Sequence, residues 1–173
     1  MSDRPKSDAF ERAAGYLSLQ MRTEREIRRY LKQKGYEPEE IEDAVKKLLE
    51  YQYLDDSAYV RSYICQAASR GKGRKKIEQE LQARGVCSKV IADGWKTLEQ
   101  EKETGSAGNV LLDEKKRALQ TAVKMARQQL DSGKTLDEKF LSRVGRRLSG
   151  LGYSADVIYF VIGKLRGIRR SDE

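Results

Sequence analysis

The sequence predicts an all-α protein built from three tandem three-helix repeats in an elongated, curved arrangement. One spacing of apolar residues and glycine occurs three times along the 173-residue chain, and apolar residues recur at intervals of four, which is typical of helices. No segment alternates apolar and polar residues in the way that a half-buried strand does. A spacing that recurs along a chain indicates one structural unit that is used several times.

The repeat has seven matching columns in each copy, with no gap inside a copy. Two apolar residues four apart precede a glycine, and a second apolar set with helical spacing follows it. The columns are Ile27, Leu31, Gly35, Tyr36, Ile41, Val45 and Leu48; then Ile77, Leu81, Gly85, Val86, Ile91, Trp95 and Leu98; then Val144, Leu148, Gly152, Tyr153, Ile158, Ile162 and Leu165. We therefore expect the apolar columns in the core and the glycines at turns.

Each copy predicts two helices that are joined at its glycine. A glycine after a helical apolar face suits the left-handed residue with which many helices end. Thr23 and Glu26 have the spacing of a capping box at the start of the first pair. Pro38 suits the first turn of the second helix, and Ser88 and Ser154 are the predicted caps of the equivalent helices.

A further helix is predicted before each pair. Apolar stripes place these helices at about 9–20, 57–70 and 110–130, so the repeats cover residues 1–54, 55–104 and 105–173. An aspartate of the Leu54-Asp55-Asp56 joint is the predicted N-cap of the second repeat. The segment 104–108, which contains glycine and serine, is either a flexible linker before the third repeat or an ordinary ordered loop.

The composition argues against several functional classes. The chain has no histidine and two widely separated cysteines, so it lacks an imidazole base, a Ser/His/Asp triad and a CxxC motif. We predict no enzyme activity, no cofactor and no metal site, and we interpret Cys65 and Cys87 as reduced thiols packed as small hydrophobes. No signal peptide and no long apolar run are visible, which predicts a cytoplasmic protein without a membrane partner.

Positive charge increases towards the C-terminal side of the chain. The 35 basic and 27 acidic residues give a net charge of +8, and segments 1–56, 57–104 and 105–173 carry −2, +4 and +6. In each repeat the cations collect around the first helix of the pair. We predict that they contact a polyanion, with a solvated and partly neutralised helix face as the alternative. This basic stripe consists of Arg25, Arg28, Lys32, Lys72, Arg74, Lys75, Lys76, Arg143, Arg146 and Arg147.

Glycines and aromatic residues support two further predictions. Gly71 and Gly73 lie among five cations, where their small size lets the backbone approach a phosphate or a carboxylate, although the Walker A spacing is absent. Trp95 occupies a core column. Four tyrosines near the first joint are assigned to the core, with base stacking as the alternative: Tyr51, Tyr53, Tyr59 and Tyr63.

The glycine-marked helix pairs, the Tyr53-Leu54-Asp55-Asp56 joint and the Gly71-Lys72-Gly73 turn together resemble the RecX family of small bacterial regulators of the RecA recombinase. The resemblance covers about residues 13–165 and depends on the order and spacing of these motifs. Gln52 stands where the family often has a glycine, and Arg74 stands where it often has a proline. Both departures fall at turns, so they affect the expected local backbone and not the expected fold.

The resemblance implies an all-α regulator without enzymatic activity that binds in the groove of the RecA–ssDNA filament. There it would act as a monomer that inhibits ATP hydrolysis and strand exchange and promotes filament disassembly, with non-specific binding of single-stranded or double-stranded DNA as a further option. A transcription regulator with tandem helix-turn-helix units stays the alternative. The acidic start of the second helix of the first pair, residues 38–43, argues against it because phosphates would repel that segment.

Overall fold

The computed structural model describes residues 8–103 and 113–171, and within these ranges the chain forms nine α-helices and no β-strand. The all-α prediction is confirmed. The segment 104–108, in which a linker is predicted, and residues 110–112 lie outside the described residues. The helices are α1 (Ala9–Leu17), α2 (Glu24–Gln33), α3 (Pro38–Glu50), α4 (Asp56–Ser69), α5 (Arg74–Ala83), α6 (Ser88–Glu103), α7 (Glu114–Asp131), α8 (Glu138–Gly150) and α9 (Ala155–Ser171).

Contacts between Cα atoms divide the chain into two compact units. Unit 1 comprises Met1–Ser62 and Leu81–Gly94, and unit 2 comprises Tyr63–Glu80 and Trp95–Glu173. The predicted repeat boundaries near residues 54 and 104 stay a prediction. Among the helices of the described ranges, none is both long enough and apolar enough to cross a membrane.

Helices α1, α2 and α3 share one apolar core in unit 1. Ile27 and Leu31 of α2 have no exposed surface, and Val45 and Leu48 of α3 are at most 1% exposed. Helix α1 contributes Ala13, which is fully buried and small enough for its backbone to come close to the other two helices. Burying each of the four larger side chains stabilises the fold by roughly 1.5–3 kcal/mol.

Helices α7, α8 and α9 form the core of unit 2, where Phe140 and Leu148 of α8 are at most 1% exposed. The apolar face of α9 departs from the predicted columns. Ile158 and Ile162 are half-buried at the edge of the core, whereas Val161 is fully buried. The prediction of Ile162 as a core residue is therefore wrong by one position, because the buried face of α9 consists of Val157, Val161 and Leu165.

The glycine turns of all three predicted helix pairs are confirmed. Gly35, Gly85 and Gly152 have φ angles of +80°, +90° and +84°, in the left-handed region where a Cβ atom is unfavourable. In the first turn the amide of Tyr36 donates to the carbonyl of Leu31 at 3.3 Å, and equivalent bonds close the other two turns. This is the Schellman arrangement, in which the residue after the glycine folds back onto the helix.

The predicted start of α2 is confirmed by a complete capping box, in which Thr23 and Glu26 each accept from the other's backbone amide. Pro38 is the first residue of α3, as predicted. Asp55 is the N-cap of α4, since its Oδ1 accepts from the amides of Ser57 and Ala58 at 2.8 and 3.0 Å. These caps satisfy amides that have no partner inside their own helix.

Four local predictions are wrong, and each fails at a turn. Helix α6 begins at Ser88, so that serine is the first helical residue and not the cap. Cys87, which precedes it, is exposed instead of packed. Tyr51 and Tyr53 are 65% and 62% exposed, because they lie on either side of the turn at Gln52 (φ +58°) and their rings contact Phe10 at the edge of the core.

Candidate interaction site

The first turn of α5 lies against the turn between α8 and α9, within unit 2. The amide of Gly73 donates to the carbonyl of Leu151 at 2.8 Å. The approach is so close that a Cβ atom on Gly73 would lie 2.5 Å from the backbone of Gly152. The hydroxyl of Tyr153 adds a second bond, to the carbonyl of Gly71 at 2.9 Å. These contacts hold the segment 72–76 beside the C-terminal end of α8.

The equivalent columns of the repeat also meet in unit 1. Thr23, which corresponds to Gly73, donates from Oγ1 to the carbonyl of Arg84 at 2.8 Å, and Arg84 corresponds to Leu151. Arg84 also pairs with Glu26, with 3.0 Å between Nη1 and Oε1. The start of the first helix of one pair therefore contacts the glycine turn of the next pair in both units.

A carboxylate covers the N-terminal amide of the first helix at both junctions. Asp56 Oδ1 accepts from the amide of Glu24 at 2.9 Å, and Glu114 Oε1 accepts from the amide of Arg74 at 2.5 Å. Burial raises the pKa of Asp56, although the bond from the Glu24 amide favours its charged form. An anion at a helix N-terminus is stabilised by the helix dipole. The sequence indicated a carboxylate or phosphate near Gly73, and in the structure this anion is internal.

The basic-stripe residues of unit 1 differ in their exposure and in whether they form ion pairs. Arg28 pairs with Glu24 and with Glu42, with 3.0 Å between Arg28 Nε and Glu42 Oε1. The hydrogen bond with Glu42 is the largest of the effects that raise the pKa of Arg28. Arg25 and Lys32 are exposed, although the stem of Arg25 packs against the glycine turn of residue 85. Arg28 is therefore the member of this group whose charge is already neutralised.

Lys72 is held by an internal carboxylate in unit 2. Its Nζ lies 2.7 Å from Glu80, whose Oε2 also accepts from the hydroxyl of Tyr63 at 2.7 Å. Burial raises the pKa of Glu80, but the hydrogen bonds from Lys72 and Tyr63 outweigh it and leave the pKa below its ordinary value. The ammonium of Lys72 thus belongs to a structural network.

Arg74 is also engaged inside the chain. Its guanidinium pairs with Glu78 at 2.8 Å and with Glu99 at 3.2 Å. The guanidinium carbon lies 4.7 Å from the ring centre of Trp95, which is 4% exposed, as its core column predicted. Cation–π contact and two carboxylates fix this side chain over the indole. The solvated and neutralised alternative therefore describes Arg28, Lys72 and Arg74 well.

Exposed cations remain on α5 and on α8. Within the described residues, Lys75, Arg146 and Arg147 are exposed and form no ion pair. Lys76 is half-buried with its stem against the α8–α9 turn, and Arg143 donates to Gln129 at 2.6 Å. We call Lys75, Arg146 and Arg147 the α5–α8 patch. Whether any residue of the basic stripe contacts a partner stays a prediction.

Two protein-family models match this chain. The model of the RecX first three-helix domain matches residues 9–48, and that of the RecX second three-helix domain matches residues 55–94. The proteins named regulatory protein RecX from Halalkalibacterium halodurans and Bacillus subtilis are similar to it. They are 35% identical over 132 residues (73% of this chain, 50% of the relative) and 29% identical over 151 residues (86% and 52%). The chain thus spans about half the length of the curated relatives it matches.

Solved structures are also similar to the chain. The crystal structure of RecX from Lactobacillus salivarius superposes with a TM-score of 0.75, covering 92% of this chain and 96% of that one. At 22% identity this likeness shows the fold alone. A crystal structure of regulatory protein RecX gives a TM-score of 0.69 at 28% identity, with 88% of this chain and 69% of that one covered.

Proposed function

The chain belongs to the RecX family, and we propose that it regulates RecA by binding to the RecA–ssDNA filament and not by catalysis. In this proposal a monomer lies in the filament groove, inhibits ATP hydrolysis and strand exchange, and promotes disassembly. It acts in the cytoplasm, where the filament forms. The name of the relatives supports the regulatory role, and the α5–α8 patch is the observation on this chain that supports a charged filament as the partner.

The patch has the properties of a contact for an anionic surface. Its three side chains keep their charge exposed, whereas Lys72 and Arg74 beside them are neutralised by internal carboxylates. Exposed cations without an internal ion pair raise the rate of association with an acidic protein surface or with DNA phosphates. A filament repeats its surface at every protomer, so several weak contacts from one chain add to a useful avidity.

Charge reversal of the patch tests this proposal. The variant carries Lys75→Glu, Arg146→Glu and Arg147→Glu, and its binding is measured by co-sedimentation with RecA–ssDNA filaments. We expect the apparent Kd to rise at least about tenfold, which corresponds to 1.4 kcal/mol. The structure predicts little change in folding, because these side chains make no ion pair within the described residues.

A matched control separates the patch from net charge. Lys46, Lys47 and Lys96 are exposed and form no ion pair in the described part of the chain, so reversing them gives the same net charge. The control variant should bind filaments within about twofold of the wild type. Equal loss in both variants would show that only overall charge matters, and unchanged binding of the patch variant would exclude the patch as the contact.

Reading of duplex sequence is not favoured by the first helix pair. In α3, the second helix of the first pair, Glu39, Glu40 and Glu42 are exposed near the N-terminal end, where a recognition helix would meet phosphates. We therefore propose that any binding to free DNA is non-specific and weakens steeply as salt rises. Tight, sequence-dependent binding of duplex at physiological salt would favour the transcription-regulator alternative instead.

A further inference from the structure

A cavity of about 260 Å³ opens in unit 2 between the C-terminal end of α4 and one face of α7. Its walls carry three cations and three uncharged polar side chains, and no acidic residue is among its lining residues. The residues that matter here are Arg70 and Gly71 at the end of α4, and Arg117, Gln120, Thr121 and Lys124 on α7. None of the three cations belongs to the basic stripe.

Arg117 is the unusual group in this cavity, because it is a charged side chain that is only 6% exposed. Its Nη2 donates to the carbonyl of Lys72 at 3.4 Å. Its Nε and Nη1 are buried and have no hydrogen-bond partner among the described residues. A buried donor without a partner destabilises a fold by about 1–3 kcal/mol, and more when it is charged. The guanidinium therefore presents unused donors in a place where an anion would satisfy them.

The neighbouring groups do not supply that anion. Burial raises the pKa of Tyr153, although Arg117 beside it acts in the opposite direction, so the Tyr153 hydroxyl stays neutral and donates to the carbonyl of Gly71. Glu114, one turn before Arg117, accepts from the amide of Arg74. Thr121 donates its hydroxyl to the carbonyl of Arg117. Near the end of α4, the carbonyls of Ala68 and Ala67 accept from the amides of residues 71 and 72.

The rim of the cavity adds two more positive charges. Arg70 and Lys124 are exposed and, within the described residues, form no ion pair. One buried guanidinium and two exposed cations at the opening favour an oxyanion with two negative charges over a carboxylate with one. Arginine donates to phosphate through two parallel N–H groups, and lysine adds a point charge.

We propose that this cavity, the Arg117 pocket, binds one phosphate group, with the guanidinium of Arg117 donating to it and with Arg70 and Lys124 closing on the anion from the rim. The phosphate belongs either to a small phosphorylated molecule or to the backbone of a nucleic-acid strand. The proposal does not depend on the proposed function, since the pocket and the α5–α8 patch have no residue in common.

The test is calorimetric titration of the full chain with inorganic phosphate at constant ionic strength, with chloride as the balancing anion. We expect saturable binding that weakens at least tenfold in the double rim variant Arg70→Gln and Lys124→Gln, which leaves the buried side chain in place. Arg117→Met should abolish binding, and its folding is checked by circular dichroism. Arg127→Met, an exposed position on α7 outside the pocket, should bind as the wild type does.

A second arm identifies the source of the phosphate. A short oligothymidylate that competes with inorganic phosphate, and whose binding is lost in the rim variant, indicates the backbone of a strand. Phosphate that binds without such competition indicates a small phosphorylated molecule. The proposal is overturned if neither probe binds. It is also overturned if the rim variant binds both probes as tightly as the wild type and the control Arg127→Met do.

Discussion

The contact between α5 and the α8–α9 turn gives the sharpest stability prediction. Substitutions at three glycines, two in this contact and one in another turn, separate the effect of backbone strain from that of a steric clash. Gly35 has φ +80° with open space around its missing Cβ, so Gly35→Ala introduces backbone strain alone. Gly73 lacks a positive φ, but its Cβ would meet the backbone of Gly152 at 2.5 Å, so Gly73→Ala introduces a clash alone. Gly152→Ala introduces both, since its Cβ would meet the backbone of Lys76 at φ +84°.

The magnitudes follow from these three situations. A left-handed backbone destabilises alanine by about 1–2 kcal/mol. Alanine also makes the unfolded chain stiffer than glycine does, which offsets about 0.4–1 kcal/mol, so the free energy of unfolding of Gly35→Ala should fall by about 1 kcal/mol. For Gly73→Ala, overpacking against backbone contributes about 1–3 kcal/mol, and loss of the bond to Leu151 contributes about 1–3 kcal/mol. We expect a loss of about 3 kcal/mol there, and a larger one for Gly152→Ala.

Urea unfolding followed by circular dichroism measures these differences. With a denaturant slope of about 2 kcal/mol per molar, Gly73→Ala should lower the unfolding midpoint of its transition by about 1.5 M. Gly163→Ala is the control, because this glycine lies in the interior of α9 with open space around it, and alanine there should stabilise by up to about 1 kcal/mol. If Gly73→Ala unfolds within about 0.5 kcal/mol of the wild type, the close backbone contact does not exist.

Three further stability predictions use the same unfolding assay. Asp56→Ala should lose about 1 kcal/mol by exposing a helix amide, whereas Asp56→Asn keeps the acceptor and removes a charge that burial disfavours. The advantage of Asp56→Asn should be present at pH 7 and vanish as the pH falls through the raised pKa of the aspartate; an advantage that grows in acid would contradict it. Gln52→Gly should be neutral or stabilise by up to about 1 kcal/mol, because glycine relieves the positive φ at this position. As a control, Gln66→Gly inside α4 should lose about 1 kcal/mol. A loss of stability in both variants would refute backbone strain at Gln52. Lys72→Met should lose about 1 kcal/mol at pH 7, and this deficit should disappear as the pH falls through the lowered pKa of Glu80; a deficit independent of pH would exclude the ion pair as its source.

Local features of the fold could be predicted from the sequence because short-range rules determine them. The left-handed Gly35, Gly85 and Gly152 and the capping box at Thr23 depend on residues within one or two helical turns. The core columns of α2 and α3 follow from helical spacing. The shift of the buried face in α9 from Ile162 to Val161 did not follow, because both neighbours are apolar and only packing decides between them.

The long-range contacts needed the structure. Asp56 looks like a second capping residue of α4, and only the structure shows it on the amide of Glu24, 32 residues earlier. Glu114 reaches Arg74 in the same way. The sequence showed charge clusters, but it did not show which cations pair internally. For the same reason nothing in the composition distinguished Arg117, a buried cation, from the exposed residues around it.

The most direct test of filament binding is the ATPase rate of RecA on single-stranded DNA as this chain is added. We expect that the rate falls in a saturable way, that filaments become shorter in electron micrographs of the same samples, and that the α5–α8 patch variant needs a higher concentration for both effects. An ATPase rate and a filament length that stay constant at saturating concentrations of the folded chain would contradict it.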